Sequence, residues 1–275
     1  MLDRERLLAA YDRQVRTAEH SRLAPGVRAE VDGPVVRVVG WDNGFISPPP
    51  DLGLDGSALD ALIRRQRDFF ALRSQGVEWK LRGHDLPPEL PNRLQAAGFR
   101  PQPEEAVLIG LAVEMAAPGV ELPAGVRIRE VAEESDLRRI EALHSAVWED
   151  DRSWLANDLI ARKGASPQDL RILVAEAGGE VVSAAWVELN PGTEFAGLWG
   201  GSTLSRWRRL GIYRALVAAR AQMAVGAGYR YLQVDASPDS RPILEGLGMV
   251  HVTTTTPYVW APKGPAPTVE DGEAE

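Results

Sequence analysis

Residues 204–216 read LSRWRRLGIYRAL. Arg208 and Arg209 stand just before Gly211, after which apolar residues recur at helical spacing through Ile212, Ala215, Leu216, Ala219 and Met223. A helix N-terminus leaves backbone N–H groups unpartnered and carries a partial positive charge, so it binds phosphate. Gly211 lets the backbone approach an oxyanion closely, and the two arginines would neutralise a pyrophosphate. A solvated basic turn is the competing reading of the same residues.

The rest of the chain makes this cluster informative. The 275 residues carry a formal charge of -8, which gives no general basis for binding nucleic acid or an acidic membrane, so an anion site must be local. There is no cysteine, which excludes disulfides, thiolate metal sites and a cysteine nucleophile. The four histidines lie far apart without ligand spacing, so no metal is expected. No G-x-x-x-x-G-K-[ST], G-x-G-x-x-G or G-x-S-x-G motif occurs. No stretch approaches the roughly 20 apolar residues that span a bilayer, and the start has no signal-peptide core, so a soluble cytoplasmic protein is expected.

The elements that must position the cluster alternate in type. VRIREV (126–131) reads as a strand, and Leu137, Ile140, Leu143, His144 and Val147 share one face of a helix that Ser135 or Asp136 would cap. A second amphipathic stretch covers Trp154 to Ala161, and RILVAEAGGEVVSAAWVEL reads as a hairpin turning at Gly-Gly. TEFAGLWGGSTLS is a strand interrupted by Gly200 and Gly201, the signature of a bulge or close approach. After the helix from Ile212 to near Gly226 or Gly228 come the strand YRYLQVDA, the short helix SRPILEGLG and the strand VHVTTTTPYVW. The order β-α-α-β-β-β-α-β-α-β predicts an α/β or α+β fold with helices on the faces of a sheet.

The stretch AAPGVELPAG (116–125) separates this region from a first half (1–115), and the Pro/Gly-rich acidic end (262–275) is expected to be disordered. In the first half, GVEWKL…LPNRLQAAGF echoes GYRYLQ…SRPILEGLGM, which suggests an internal duplication.

Residues 126–261 resemble the GNAT N-acetyltransferase superfamily, whose acyl-CoA signature [RQ]-x-x-G-x-[GA] reads here Arg208-Arg209-Leu210-Gly211-Ile212-Tyr213. Thr203 stands at the usual valine, Ser205 at the usual proline and Trp207 at the usual aromatic, and ASPDSRPILEGLGM resembles N-x-x-A-x-x-x-Y-x-x-x-G-F. The resemblance implies a mixed, mainly antiparallel sheet flanked by helices and transfer of an acyl group, acetyl above all, from acyl-CoA to an amine. The pyrophosphate would rest on the backbone from Arg209 to Tyr213, with Arg208 alongside. The pantetheine would run beside Leu198 to Leu204, and an N–H near Gly201, Ser202 or Thr203 would polarise the thioester.

The resemblance also has departures. Tyr213 replaces a small residue, Leu244 the tyrosine that protonates the thiolate, Ser237 the asparagine and Met249 the phenylalanine. Candidate bases are Glu188, Glu194 and Asp235, with His144 as an alternative; Tyr258 or Tyr213 would replace the missing acid. Trp148, Trp154, Trp186 and Trp199 are expected near a partly apolar acceptor pocket. The acceptor is a small-molecule or peptide amine that the sequence does not identify, and it leaves the oligomeric state open. The first half carries PPPDLGLDGSALD where the arginines would be, so it is expected to be a degenerate GNAT-like module without acyl-CoA, or else a small unrelated α/β domain.

Overall fold

The computed structural model describes residues 3–18, 20, 23, 26–41, 43–117 and 121–262. They form two compact units, neither continuous in sequence: unit 1 holds Met1–Pro25 and Glu105–Thr255, unit 2 holds Gly26–Glu104 and Thr256–Glu275. The expected boundary at 116–125 therefore falls inside unit 1, with residues 118–120 outside the described residues, as is the tail from residue 263. The cause is a strand, Glu105–Leu111, which reads in sequence as the end of the first half but pairs within unit 1.

The first helix, α1 (Arg4–Tyr11), belongs to unit 1 and is capped by Asp3, whose carboxylate accepts the N–H groups of Glu5 and Arg6. Unit 2 then runs β1 (Arg28–Asp32), β2 (Val35–Val39), β3 (Gly44–Ser47), α2 (Gly56–Ala71), β4 (Val77–Arg82), α3 (Leu90–Ala96) and β5 (Arg100–Pro101). β1, β2 and β3 are antiparallel neighbours and β4 lies parallel to β3. Leu59, Leu62, Ile63 and Phe70 of α2 pack on Ile46, Val77 and Trp79.

Unit 1 continues with β6 (Glu105–Leu111), α4 (Ala112–Met115), β7 (Val126–Val131), α5 (Glu134–Trp148), α6 (Leu155–Ala165), β8 (Leu170–Ala177), β9 (Glu180–Leu189), β10 (Phe195–Thr203), α7 (Ile212–Gly226), β11 (Tyr231–Ala236), α8 (Arg241–Gly246) and the part of β12 (Val250–Trp260) up to Thr255. From β7 onward this is the order expected from the sequence. The strands lie in the order β12-β6-β11-β10-β9-β8-β7, all antiparallel except β10 beside β11. The mixed, mainly antiparallel sheet flanked by helices is thus borne out.

Alternation along β8 distributes the layers. Ile172 and Val174 meet α5 and α6 on one face, whereas Leu173 and Ala175 meet Ile212 and Leu216 of α7 on the other. The Gly178-Gly179 turn, both glycines at positive φ, closes the β8–β9 hairpin as expected. One expectation fails: α5 begins after Glu133, and Asp136 does not cap it but receives Arg129 at 2.6 Å.

The sequence echo is structural. β3-α2-β4-α3 and β10-α7-β11-α8 each consist of a parallel strand pair, its crossover helix and a short helix with proline in its first turn. Each short helix is followed by a glycine in the left-handed region, Gly98 at φ +92° and Gly248 at φ +99°.

Candidate functional site

The site forms where β10 and β11 part. Phe195, Ala196 and Gly197 pair with Tyr231, Leu232 and Gln233, after which β10 runs on to Thr203 and β11 to Ala236 without further pairing. Beneath the paired end lies apolar packing, with the Phe195 and Tyr231 rings stacked 5.0 Å apart and Leu7 and Tyr11 of α1 against them. The open end faces the N-terminus of α7.

Between β10 and α7 the chain makes a single helical turn, Ser205–Trp207, then an extended Arg208, a left-handed Arg209 at φ +63° and a left-handed Gly211 at φ +83°. The first intrahelical bond of α7 runs from Ala215 N to Gly211 O, and no side chain caps the helix. The N–H groups preceding Ala215 thus have no intrahelical acceptor, and two left-handed residues come before them. Arg209 and Leu210 are exposed, and Arg208 folds back so that Nε donates to Thr203 O at 3.1 Å.

A bulge separates this loop from the paired part of β10. The register with β9 passes from Trp199–Trp186 to Ser202–Ala184 and skips Gly200 and Gly201. Side chains hold the carbonyls around it. Arg220 Nη1 donates to Trp199 O at 3.3 Å and Trp186 O at 3.2 Å, and Ser183 Oγ donates to Ser202 O at 2.7 Å. With Arg208 on Thr203 O, the carbonyls of Trp199, Ser202 and Thr203 each accept a side-chain donor. Arg220 is 1% exposed and forms no ion pair among the described residues; burial pushes it down to about 10. Sequence reading missed it, although an arginine on the apolar face of α7, one turn past Leu216, was the available signal.

The bulge glycines accommodate rings. A Cβ on Gly200 would lie 1.8 Å from the Trp186 ring and one on Gly201 would lie 2.8 Å from the Tyr213 ring. Tyr213 therefore lies in the open end of the strand pair, against β10. Its phenol has polar interactions with Arg220 and Ser240, while burial raises its pKa.

Among the expected proton carriers, Tyr213 and His144 stand at the bulge, the latter hydrogen-bonded to Gly200, and two carboxylates lie near the parting strands. Glu188, on β9 opposite Gly197, is ion-paired with Arg162, which also holds Asp158 at 3.2 Å. Asp235, on β11 beyond the parting point, accepts Gln233 Nε2 at 2.7 Å. Glu194 lies at the other end of β10, where it accepts Gln14 Nε2 at 3.1 Å and its carbonyl binds Tyr231 N; adjacency to a strand did not say which end. Tyr258 belongs to the apolar core of unit 2, because β12 past Thr255 is part of that unit. His144 is 4% exposed and pushed by burial down to about 4, which makes it neutral and weakly basic near pH 7. Leu244 is fully buried in the core and carries no ionisable group.

Three of the expected tryptophans meet the bulge. Trp148 Nε1 donates to Ser202 Oγ at 3.0 Å, Trp186 covers Gly200, and Trp199 opens the bulge opposite Trp186. Trp154 is exposed at the start of α6. No group of three or more His, Asp or Glu side chains among the described residues is arranged to hold a metal ion.

Residues 131–248 match the acetyltransferase (GNAT) family. Among solved structures, a GCN5-related N-acetyltransferase from Kribbella flavida is similar over 94% of this chain and 95% of its own, at 19% identity and a TM-score of 0.67. A functionally unknown conserved protein from Staphylococcus epidermidis covers 87% of this chain and 96% of its own, at 13% identity and a TM-score of 0.63. A tandem GNAT protein from the clavulanic acid biosynthesis pathway covers 95% and 96%, at 14% identity and a TM-score of 0.62. At these identities the likeness is one of fold. No curated protein matches the chain.

Proposed function

With residues 131–248 a GNAT acetyltransferase domain, we propose that unit 1 transfers an acyl group, acetyl in the first instance, from acyl-CoA to an amine. The observation that carries this reading is the uncapped N-terminus of α7, preceded by the left-handed Arg209 and Gly211, at the open end of β10 and β11. The pyrophosphate would rest on the N–H groups from Arg209 to Tyr213, with Arg208 and Arg209 beside it. The thioester carbonyl would meet the bulge at Gly201 to Thr203, whose neighbouring carbonyls are bound elsewhere. The amine nitrogen forms the new C–N bond, the C–S bond breaks, and the amine's proton leaves with CoA as the thiol.

Charge reversal tests this. Arg208→Glu/Arg209→Glu is expected to abolish binding of CoA in calorimetry, and unchanged affinity removes the proposal. A cytoplasmic setting belongs to the same reading; no helix among the described residues is long and apolar enough to cross a membrane. Unit 2 is proposed to bind no acyl-CoA, because Asp51 and Asp55 stand where α2 begins.

Tyr213 supports a second reading, an acyl-CoA sensor or assembly module without turnover. Its ring stands where the pantetheine would pass and Leu244 supplies no acid. A sensor binds CoA yet releases no thiol over a panel of amines; the enzyme releases it.

A further inference from the structure

The face of the sheet opposite α7 is where an acceptor would approach a donor seated at the α7 N-terminus. Two indoles stand exposed there beside the bulge: Trp148, 49% exposed and tied to Ser202, and Trp199, 38% exposed and paired with the buried Trp186. Trp199 lies back along β10, where a Cβ on Gly197 would come within 2.6 Å of its Nε1. The glycines at 197 and 200 thus make room for indoles on this face, and the bulge is bordered by aromatic surface.

Several carboxylates around it are already engaged. Glu188 and Asp158 are held by Arg162, Asp150 by Arg152 at 2.7 Å, and Asp235 by Gln233. The Arg152 guanidinium, paired with Asp150, lies 5.6 Å from the Trp148 ring centroid, so this ion pair stands at the rim. An aminoglycoside or a lysine side chain, with an amine pKa of about 10.4 in the latter case, would need both a carboxylate to bind its cation and a base to neutralise it. His144 is too weak a base for that task.

On the acyl-transfer reading above, we propose that the acceptor is an aromatic amine whose ring lies against Trp199 and Trp148 while its nitrogen reaches the thioester at the bulge. The lone pair of such an amine is delocalised into its ring, so the nitrogen is unprotonated at neutral pH and reacts without a base to free it. The flat body supplies the area that indole surfaces bind.

Thiol release from acetyl-CoA compares p-anisidine, kanamycin and a lysine-containing peptide on the full-length protein. The expected result is a kcat/KM for p-anisidine at least about tenfold above the other two. Trp199→Ala is expected to raise the KM for p-anisidine about tenfold and leave that for acetyl-CoA unchanged, with Trp199→Phe restoring most of the loss. A preference for kanamycin or the peptide, or an unchanged KM in Trp199→Ala, overturns the inference. If no acceptor gives thiol release, acyl transfer itself falls, and the aromatic site is judged by tryptophan fluorescence with p-anisidine alone. Saturable quenching that Trp199→Ala removes supports the site, and no saturable quenching overturns it.

Discussion

Arg220→Met separates the stability of the bulge from its function. The wild-type guanidinium is held at about 10 by burial, against 12.5 in water, so carrying the charge costs roughly 3 kcal/mol. Methionine removes that cost and fills much of the same volume. It also leaves Trp199 O and Trp186 O without the donor they have now, at about 1–3 kcal/mol each. The two effects offset, so the variant is expected to melt within about 6 °C of wild type. Transfer is another matter, because a carbonyl freed at Trp199 can turn toward the cleft and oppose the developing oxyanion. Loss of one preorganised oxyanion contact costs about 100-fold in kcat, with the KM for acetyl-CoA little changed, since the pyrophosphate seat is untouched. Thiol-release kinetics and a thermal melt read both quantities. Arg220→Lys keeps a charge but loses the planar fork, and so is expected to recover only part of kcat. A kcat within twofold of wild type would refute the role given to Arg220, and a collapse in melting temperature would refute the offset.

Other perturbations address the ring and the buried histidine. Tyr213→Ala is expected to tighten CoA binding about tenfold by clearing the open strand end, while Tyr213→Phe, which keeps the ring, tightens it less; calorimetry showing weaker binding in Tyr213→Ala would mean that the ring helps hold the donor. Acid is expected to destabilise unit 1 in two windows. His144 has a folded pKa of about 4 against 6.5, so its neutral form is favoured by folding, and roughly 3 kcal/mol that is present above pH 6.5 is lost as pH falls toward 4. Glu176, held near 2 by Arg129 and Arg139, loses its contribution from pH 4.5 downward. Urea midpoints at pH 7, 5 and 4 check the first window, which His144→Leu should flatten.

The glycine turn into α7 was legible because its residues are contiguous: arginines, glycine and helix start follow one another from Arg208 to Ile212. The fold order was legible for the same reason, since periodicity is local. Groups that act across the sheet were not. Ser183 reaches Ser202 and Arg220 reaches Trp186, pairings that depend on register. The same holds for errors: Glu194 is close in sequence to β10 but stands at its start, and Tyr258 shares a strand with unit 1 residues yet packs in unit 2. Sequence adjacency fixes the element, whereas the end of a strand and the side it faces come from pairing.

The two parallel crossovers carry one plan with opposite chemistry at the helix entrance. In unit 2, Asp51 accepts Gly53 N at 2.8 Å and Asp55 precedes α2 without capping it, so negative charge stands at the helix entrance and would repel a phosphate. In unit 1, Arg208 and Arg209 hold the corresponding place. A ring packs on a strand glycine in each, but at different ends. Phe70 of α2 covers Gly44, which is paired with Val77, so it fills core that is already closed. Tyr213 covers Gly201, beyond the last β10–β11 pair, where no strand closes the gap. The first ring is packing; the second stands where the two strands of the crossover are no longer paired. Its polar interactions with Ser240 and Arg220 connect the α8 side of that gap to the bulge. Movement of Tyr213 would therefore open the donor path and alter the surroundings of the residue that sets the bulge, coupling donor entry to the geometry of transfer.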